Sequence, residues 1–286
     1  MRVIRADEMG MCFGVKDALQ VIHQIAKPNQ VTIHGELVHN PVVNLQLKEF
    51  GFHQSGEENR AIPEENNQVL ITAHGISDLE RQRLLAADKE LIDTTCPLVR
   101  RAHNAAVQLQ AEGRRVLVIG TPGHVEVCGI VEDLTDFRVV PSAAEVESYA
   151  VSKLGVMCQT TTPTENVKST RAEILRKNPK ADIRFIDTVC HPTKKRQTAL
   201  LDLIEQVDAV VVVGGHNSNN TRRLVQQCEE RSRPAYHVAC AEELQPEWFC
   251  NVATVGLTAG TSTLDETIQS VQNSLEQMQV PESIGT

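Results

Sequence analysis

The chain has 286 residues, with 28 lysines and arginines against 37 aspartates and glutamates, which gives a formal net charge of −9. Because a general nucleic-acid binder needs a basic face, this charge argues against one. Hydrophobic residues make up 41% of the chain and charged residues 23%, which is typical of a folded globular protein rather than a disordered one. No stretch approaches the roughly 20 apolar residues of a membrane span, and the first residues lack the apolar core of a signal peptide. We therefore expect a cytoplasmic protein.

The cysteine content fits a reducing compartment. The eight cysteines are sparse in a chain long enough to build its own core, so free thiols are expected. No Cys-x-x-Cys pair occurs, which excludes a zinc ribbon built from one local segment and a thioredoxin-type redox pair. A metal site would have to gather its cysteines from distant segments.

In chain order, one series of elements occurs three times. Near the N-terminus a predicted strand leads to Cys12, and a helix, a second strand and a glycine follow. The same series surrounds Cys96 and Cys190, where residues 91–96 and 185–190 are near copies at an offset of 94. The glycines follow their cysteines after 23, 24 and 24 residues, at Gly35, Gly120 and Gly214.

Apolar residues between each cysteine and its glycine recur at the three-and-four spacing of a helical face. Their positions are 15, 18, 19, 22, 25 and 26; 98, 99, 102, 105, 106 and 109; and 199, 200, 203, 204 and 207. A further strand is predicted later in each copy, around residues 69–75, 155–161 and 252–260. This alternation predicts an α/β protein of three similar units with mainly parallel sheets. The predicted units are residues 1–95, 96–189 and 190–286.

The repeat also predicts a site. In parallel α/β sheets, ligands bind at the carboxyl ends of strands, and Cys12, Cys96 and Cys190 each follow a predicted strand. We therefore expect three thiolates at one common point. Polar residues at the corresponding strand ends should ring them: His39, His74, His124, Glu126, Thr160, Thr161, Ser218, Asn220, and Thr258 to Ser262. The remaining cysteines lack the pattern and are interpreted as ordinary small side chains: Cys128, Cys158, Cys228, Cys240 and Cys250.

Three thiolates are a partial ligand set for either zinc or an iron-sulfur cluster. A 4Fe-4S cluster with three protein ligands leaves one iron open, so that it can bind a substrate as a Lewis acid. Two other hypotheses stay open: a zinc-dependent hydrolase or deaminase, and a non-catalytic iron-sulfur redox sensor. The zinc deaminase signature needs Pro-Cys-x-x-Cys after His-x-Glu, and this sequence lacks it. Residues 214–223 resemble a phosphate-binding turn at a helix start, although the Gly-Lys-Ser/Thr of a Walker motif is missing.

Motifs spread over essentially the whole chain carry a family resemblance. They lie at residues 10–15, 38–40, 73–75, 93–97, 123–126, 159–161, 217–220 and 258–260, and at Cys190 with Thr193, Arg196 and Gln197. They resemble those of the 4-hydroxy-3-methylbut-2-enyl diphosphate reductases. The resemblance implies a trefoil of three α/β domains around a central 4Fe-4S cluster, with ferredoxin or flavodoxin as electron donor.

The resemblance further implies the reaction and the roles of site residues. The reaction is the removal of the allylic hydroxyl of (E)-4-hydroxy-3-methylbut-2-enyl diphosphate with two electrons and two protons, giving isopentenyl and dimethylallyl diphosphate. Cys12, Cys96 and Cys190 would be the cluster ligands, and Glu126, Thr160 and His124 would deliver the proton that lets water leave. The implied substrate-binding residues are His39, His74, His124, Thr160, Ser218, Asn220 and Ser262.

Overall fold

A computed structural model describes residues 1–57 and 60–279, and in these residues the strands form three parallel four-stranded sheets. The first sheet contains β2 (Val31–His34), β3 (His53–Gln54), β4 (Gln68–Ile71) and β5 (Glu90–Asp93). The second sheet contains β6 (Arg115–Ile119), β7 (Phe137–Val140), β8 (Lys153–Cys158) and β9 (Asp182–Phe185). The third sheet contains β1 (Arg2–Arg5), β10 (Ala209–Val213), β11 (Ala235–Val238) and β12 (Thr254–Ala259). The predicted α/β class with parallel sheets is confirmed.

The three sheets share one strand order. Read from one edge, the orders are β5-β4-β2-β3, β9-β8-β6-β7 and β1-β12-β10-β11. The edge strand that starts each order precedes one of the cysteines at positions 12, 96 and 190, and the strand beside it is the late strand of the sequence repeat. The threefold internal repeat is therefore a repeat of sheet topology. The N-terminal strand β1 completes the third sheet by pairing with β12.

Helices connect the strands as parallel crossovers require. The helices are α1 (Phe13–His23), α2 (Pro41–Glu49), α3 (Asp78–Ala86), α4 (Pro97–Ala111), α5 (Val125–Val131), α6 (Thr164–Lys177), α7 (His191–Ile204), α8 (Asn219–Glu229) and α9 (Asp265–Gln277). The predicted apolar faces are confirmed where the predicted positions fall within the three helices that follow the cysteines. Helices α1 and α7 end at His23 and Ile204, so the predicted positions 25, 26 and 207 lie beyond them. Helix α4, for example, buries Val99, Ala102, Ala105, Ala106 and Leu109. Over the residues described, none of the helices is both long and apolar enough to cross a membrane.

The central strands β6 and β10 pack with both of their faces. In β6, Leu117 and Ile119 belong to one hydrophobic cluster, and Val116 and Val118 belong to another. In β10, alternate valines are likewise divided between two clusters. A continuous apolar run is what a strand needs when helices cover both sides of its sheet. The cores hold the strands so that their carboxyl ends, where the loops begin, have fixed positions.

The described residues divide into two compact units. The terminal unit comprises Met1–Phe13, His39–Pro41 and the chain from His191 onward, and the middle unit comprises Gly14–Val38 and Val42–Cys190. The third sheet lies in the terminal unit, and the first and second sheets lie in the middle unit. The boundaries 1–95, 96–189 and 190–286 stay predictions, and residues 280–286 of the last one lie outside the described residues.

Helix α4 packs so closely on β8 that one strand position requires glycine. A Cβ at Gly155 would lie 2.8 Å from Cβ of Leu109, and a Cβ at Gly256 of the third sheet would lie 2.9 Å from Cδ2 of Leu203. We expect Gly155→Ala to lower the free energy of unfolding by about 1–3 kcal/mol through overpacking, as measured by urea denaturation. Gly56→Ala is the control, because no described atom lies within 4 Å of the added carbon. Equal stability of the two variants would show that the helix can shift freely.

Candidate functional site

The three predicted ligand cysteines share one backbone environment. Each lies in the turn between an edge strand and a helix start, forms no disulfide and is half-buried. In each copy the cysteine N–H donates to the carbonyl of the second residue beyond the end of the neighbouring strand. The three bonds are Cys12 to Thr261 at 3.0 Å, Cys96 to Ala73 at 3.1 Å and Cys190 to Thr160 at 3.0 Å. The three thiols therefore occupy equivalent positions in three copies of one fold.

In the middle unit, an Asp-Thr-x-Cys turn supports each cysteine. Asp93 accepts the backbone N–H of Thr95 at 2.9 Å, and Asp187 accepts that of Val189 at 3.1 Å. The threonine that directly follows each aspartate joins the turn to the neighbouring strand by a hydrogen bond. The hydroxyl of Thr94 donates to the Ile71 carbonyl at 2.6 Å, and the hydroxyl of Thr188 donates to the Cys158 carbonyl. The two cysteines are thus held by the same side-chain contacts as well as the same backbone bond.

The turn before Cys12, in the terminal unit, is held differently. It has the sequence Asp7 to Met11 and lacks the Asp-Thr-x-Cys pattern. The buried guanidinium of Arg196 donates to the Gly10 carbonyl and, at 3.1 Å, to the Pro192 carbonyl. One buried cation therefore joins the Cys12 turn to the first turn of α7.

Glu126 is a buried carboxyl group linked to the turn that carries Cys190. Its side chain is in the first turn of α5, and the residue is 2% exposed. Oε1 accepts the Thr160 N–H at 2.6 Å, and Oε2 lies 2.7 Å from the Thr160 hydroxyl. Because the Thr160 carbonyl also accepts the Cys190 N–H, one residue connects the carboxyl group to the cysteine. This places an acid at a fixed position beside a predicted ligand.

Two histidines lie beside this carboxyl group. His124 is the N-cap of α5, and its Nδ1 accepts the Glu126 N–H at 3.1 Å. This bond assigns the proton of a neutral His124 ring to Nε2, which makes Nε2 a hydrogen-bond donor. The rings of His74 and His124 are nearly perpendicular, with centroids 5.9 Å apart. The middle unit therefore brings together four of the predicted site residues: His74, His124, Glu126 and Thr160.

The terminal unit brings together another four: His39, Ser218, Asn220 and Ser262. The Ser262 hydroxyl donates to the His39 carbonyl at 3.3 Å, and Asn40 donates to the Ser262 carbonyl at 2.7 Å. A Cβ at Gly215 would lie 2.8 Å from the His39 carbonyl oxygen, so the turn before α8 approaches the same segment. Ser218 caps α8 by accepting the Thr221 N–H at 3.3 Å.

Asn220 carries a buried donor that suits a ligand. The residue is 5% exposed, and its Nδ2 makes no hydrogen bond within the described part of the chain. A buried unpaired donor costs free energy unless something binds it. A Cβ at Gly260 would lie 3.6 Å from this nitrogen, which places the amide beside the turn that leads to Ser262. Neutral donors beside a helix start are groups that can bind an anion.

Sequence reasoning missed the supporting residues. Asp93, Asp187 and Asn40 were part of recognised motifs, yet none was predicted to belong to the site. The signal for the aspartates was present, since Asp-Thr-x-Cys occurs at the same offset in both copies. Convergence of the three thiols on one point stays a prediction. The same applies to the individual roles of the site residues.

Comparisons with known proteins identify relatives over nearly the whole chain. A sequence model of the family described as "LytB protein" matches residues 3–276. A protein of Trichlorobacter lovleyi is 38% identical over 281 residues, which is 97% of this chain and 99% of that protein. A protein of Aquifex aeolicus is 35% identical over 284 residues, which is 96% of each chain. Both are named 4-hydroxy-3-methylbut-2-enyl diphosphate reductase.

Solved structures of proteins with the same kind of name are also similar to this chain. The E-1-hydroxy-2-methyl-but-2-enyl-4-diphosphate reductase of Plasmodium falciparum superposes with a TM-score of 0.87 at 26% identity, covering 98% of this chain and 94% of that chain. A structure titled (E)-4-hydroxy-3-methyl-but-2-enyl diphosphate reductase gives a TM-score of 0.66 at 34% identity, covering 97% and 100%. Full-length matches in sequence and structure show that this chain belongs to the LytB protein family and is an oxidoreductase.

Proposed function

We propose that this chain reduces (E)-4-hydroxy-3-methylbut-2-enyl diphosphate to isopentenyl and dimethylallyl diphosphate, using a 4Fe-4S cluster held by Cys12, Cys96 and Cys190. The observation that carries the proposal is the equivalence of these three thiols, each fixed by the same backbone bond. The names of the relatives supply the substrate. The predicted electron donor is ferredoxin or flavodoxin.

The residues present fit such a cluster. Thiolates are its usual protein ligands, and the three cysteines are neither paired in disulfides nor fully buried. A Cβ at Gly14 would lie 2.5 Å from Sγ of Cys96, so only glycine can stand where the start of α1 approaches this sulfur. When bound, the cluster would supply electrons and, at its iron without a protein ligand, a Lewis acid.

Glu126 is proposed to hold and deliver the proton that the departing hydroxyl group needs. The Thr160 N–H fixes Oε1, while Oε2 faces the Thr160 hydroxyl at 2.7 Å. A proton on the carboxyl group can therefore pass through this hydroxyl to the substrate oxygen, so that the C–O bond breaks with loss of water. His124 presents Nε2–H as a further donor, because its Nδ1 is occupied by the Glu126 N–H.

The diphosphate is proposed to bind the neutral donors of the terminal unit. Ser218, Asn220 and Ser262 supply hydroxyl and amide groups beside the start of α8, and His39 lies in the same cluster. His74, His124 and Thr160 stay predicted ligands of the same substrate. Hydroxyl and amide donors can satisfy phosphate oxygens without a lysine cluster, which suits a chain with a net charge of −9.

The first prediction concerns the metal content of the purified protein. We expect anaerobically purified protein to be brown and to contain iron and acid-labile sulfide. Cys12→Ala, Cys96→Ala and Cys190→Ala should each lose most of the iron because a cluster ligand is missing. Cys228→Ala is the matched control, since burial raises the pKa of this thiol to about 12 and keeps it protonated. Colourless protein with one zinc per chain would instead support the hydrolase or deaminase hypothesis.

The acid prediction concerns Glu126. An amide of the same shape can accept the Thr160 N–H but has no acidic proton to give. We expect Glu126→Gln to retain iron and substrate binding and to lower kcat by about 10²–10⁴-fold. Steady-state kinetics with a chemical reductant test this, and Glu165→Gln on the exposed face of α6 is the control. Turnover near that of the unmodified protein would remove Glu126 from the mechanism.

The diphosphate prediction concerns Asn220. Removing its amide deletes a donor to a charged ligand, so Asn220→Ala should weaken substrate binding by about 10–100-fold. The same change should not lower the free energy of unfolding, because a buried unpaired donor disappears. Asn251→Ala, at an exposed position, is the control. Unchanged substrate affinity together with lost stability would mean that the amide has only a structural role.

A further inference from the structure

Three charged side chains beside Cys96 have no part in the proposed reaction. Asp93 Oδ2 accepts from Arg81 at 2.6 Å and from Arg100 at 2.8 Å. These three residues, called the Asp93 triad below, lie at the start of the turn that ends at Cys96. Asp93 is 21% exposed and Arg81 is 27% exposed, so water screens their charges only in part.

Asp93 has two tasks that use different oxygens. Oδ1 accepts the Thr95 N–H and shapes the turn, as Oδ1 of Asp187 does for Val189. Oδ2 contacts the guanidinium groups of Arg81 and Arg100. An amide in place of this carboxylate can keep the turn bond, but it cannot neutralise a guanidinium group. The two tasks can therefore be separated by mutation.

The carboxylate is charged under all physiological conditions. Burial alone would favour its neutral form, but hydrogen bonds from Thr95 and Arg81 and the charge of Arg81 lower the pKa of Asp93 to about 2. With Arg81 and Arg100 included, the Asp93 triad carries a net charge of +1. Removing the charge of Asp93 raises this to +2, and removing Arg81 lowers it to zero.

We propose that Asp93 is a positioning residue for Cys96 and that its charge, balanced against Arg81 and Arg100, sets the reduction potential of the cluster that Cys96 helps to hold. This inference rests on the proposed function. Reduction adds an electron to the cluster, so an uncompensated positive charge nearby stabilises the reduced form and makes the potential more positive. The carboxylate keeps the potential low enough for the reduced cluster to be a strong electron donor to substrate.

The charge effect is tested by anaerobic potentiometric titration followed by electron paramagnetic resonance. We expect Asp93→Asn to shift the potential to more positive values and Arg81→Gln to shift it to more negative values. The double variant Asp93→Asn/Arg81→Gln has the same net charge as the unmodified Asp93 triad, so its reduction potential should return close to the original value. Glu165→Gln, which loses only an exposed partner of Lys168, should leave the potential unchanged.

The positioning effect is tested by the rate at which a chelator removes iron. Asp93→Ala loses the turn bond to Thr95 and should release iron about tenfold faster, whereas Asp93→Asn should stay close to the unmodified rate. Substrate reduction by the unmodified protein is measured in parallel.

The outcomes separate this inference from the proposed function. If the Asp93→Asn variant is iron-loaded and active and has the same reduction potential as the unmodified protein, the charge role alone is overturned. A shift that persists in the double variant would also overturn it, because the cause would then be distortion of the turn. Equal iron release by Asp93→Ala and Asp93→Asn would overturn the positioning role. Unmodified protein without iron would overturn both the inference and the function on which it rests.

Discussion

The hydrogen bond from each cysteine N–H to a carbonyl beyond the neighbouring strand is the constraint on which the site depends. It links a cysteine turn to a second turn in every copy, and that second turn carries a predicted substrate ligand. The ligand is Thr160, the accepting residue itself, in the second copy, and it is the residue after the accepting carbonyl in the other two, His74 and Ser262. Thiol and polar side chain therefore cannot move independently. Parallel sheets make this possible, because adjacent strands end on the same side and their loops begin side by side.

The same bond determines where the acid lies. The Thr160 carbonyl accepts the Cys190 N–H, and the amide and hydroxyl of Thr160 contact the two oxygens of Glu126. A carboxyl group buried without partners would destabilise the fold, whereas this one has a hydrogen-bonding partner at each oxygen. In the proposed mechanism, the buried carboxyl group is the proton source and the Thr160 hydroxyl group is the path by which its proton leaves.

The spacing of hydrophobic residues and the 94-residue offset were enough to predict the α/β class, the helical faces and the equivalence of the cysteines. The first two can be read from single segments of the sequence, and the third can be read from a comparison of the repeated segments. Pairing of β1 with β12 joins residues at opposite ends of the chain, and no local pattern specifies it. The contacts of Asn40 with Ser262 and of Arg196 with Gly10 were missed for the same reason. Glu126 could be predicted because its turn has counterparts in the other two copies, whereas its hydrogen bonds to Thr160 join residues 34 positions apart and leave no local pattern.

The copies differ in the charges that support them. The turn before Cys96 has an aspartate with two guanidinium partners, whereas the turn before Cys12 has the buried guanidinium of Arg196 on a backbone carbonyl. Identical backbone positions thus come with different electrostatic surroundings. Under the proposed function, each copy can be adapted to a different task, such as holding a proton or binding a diphosphate, while the shared hydrogen bond keeps its thiol in position.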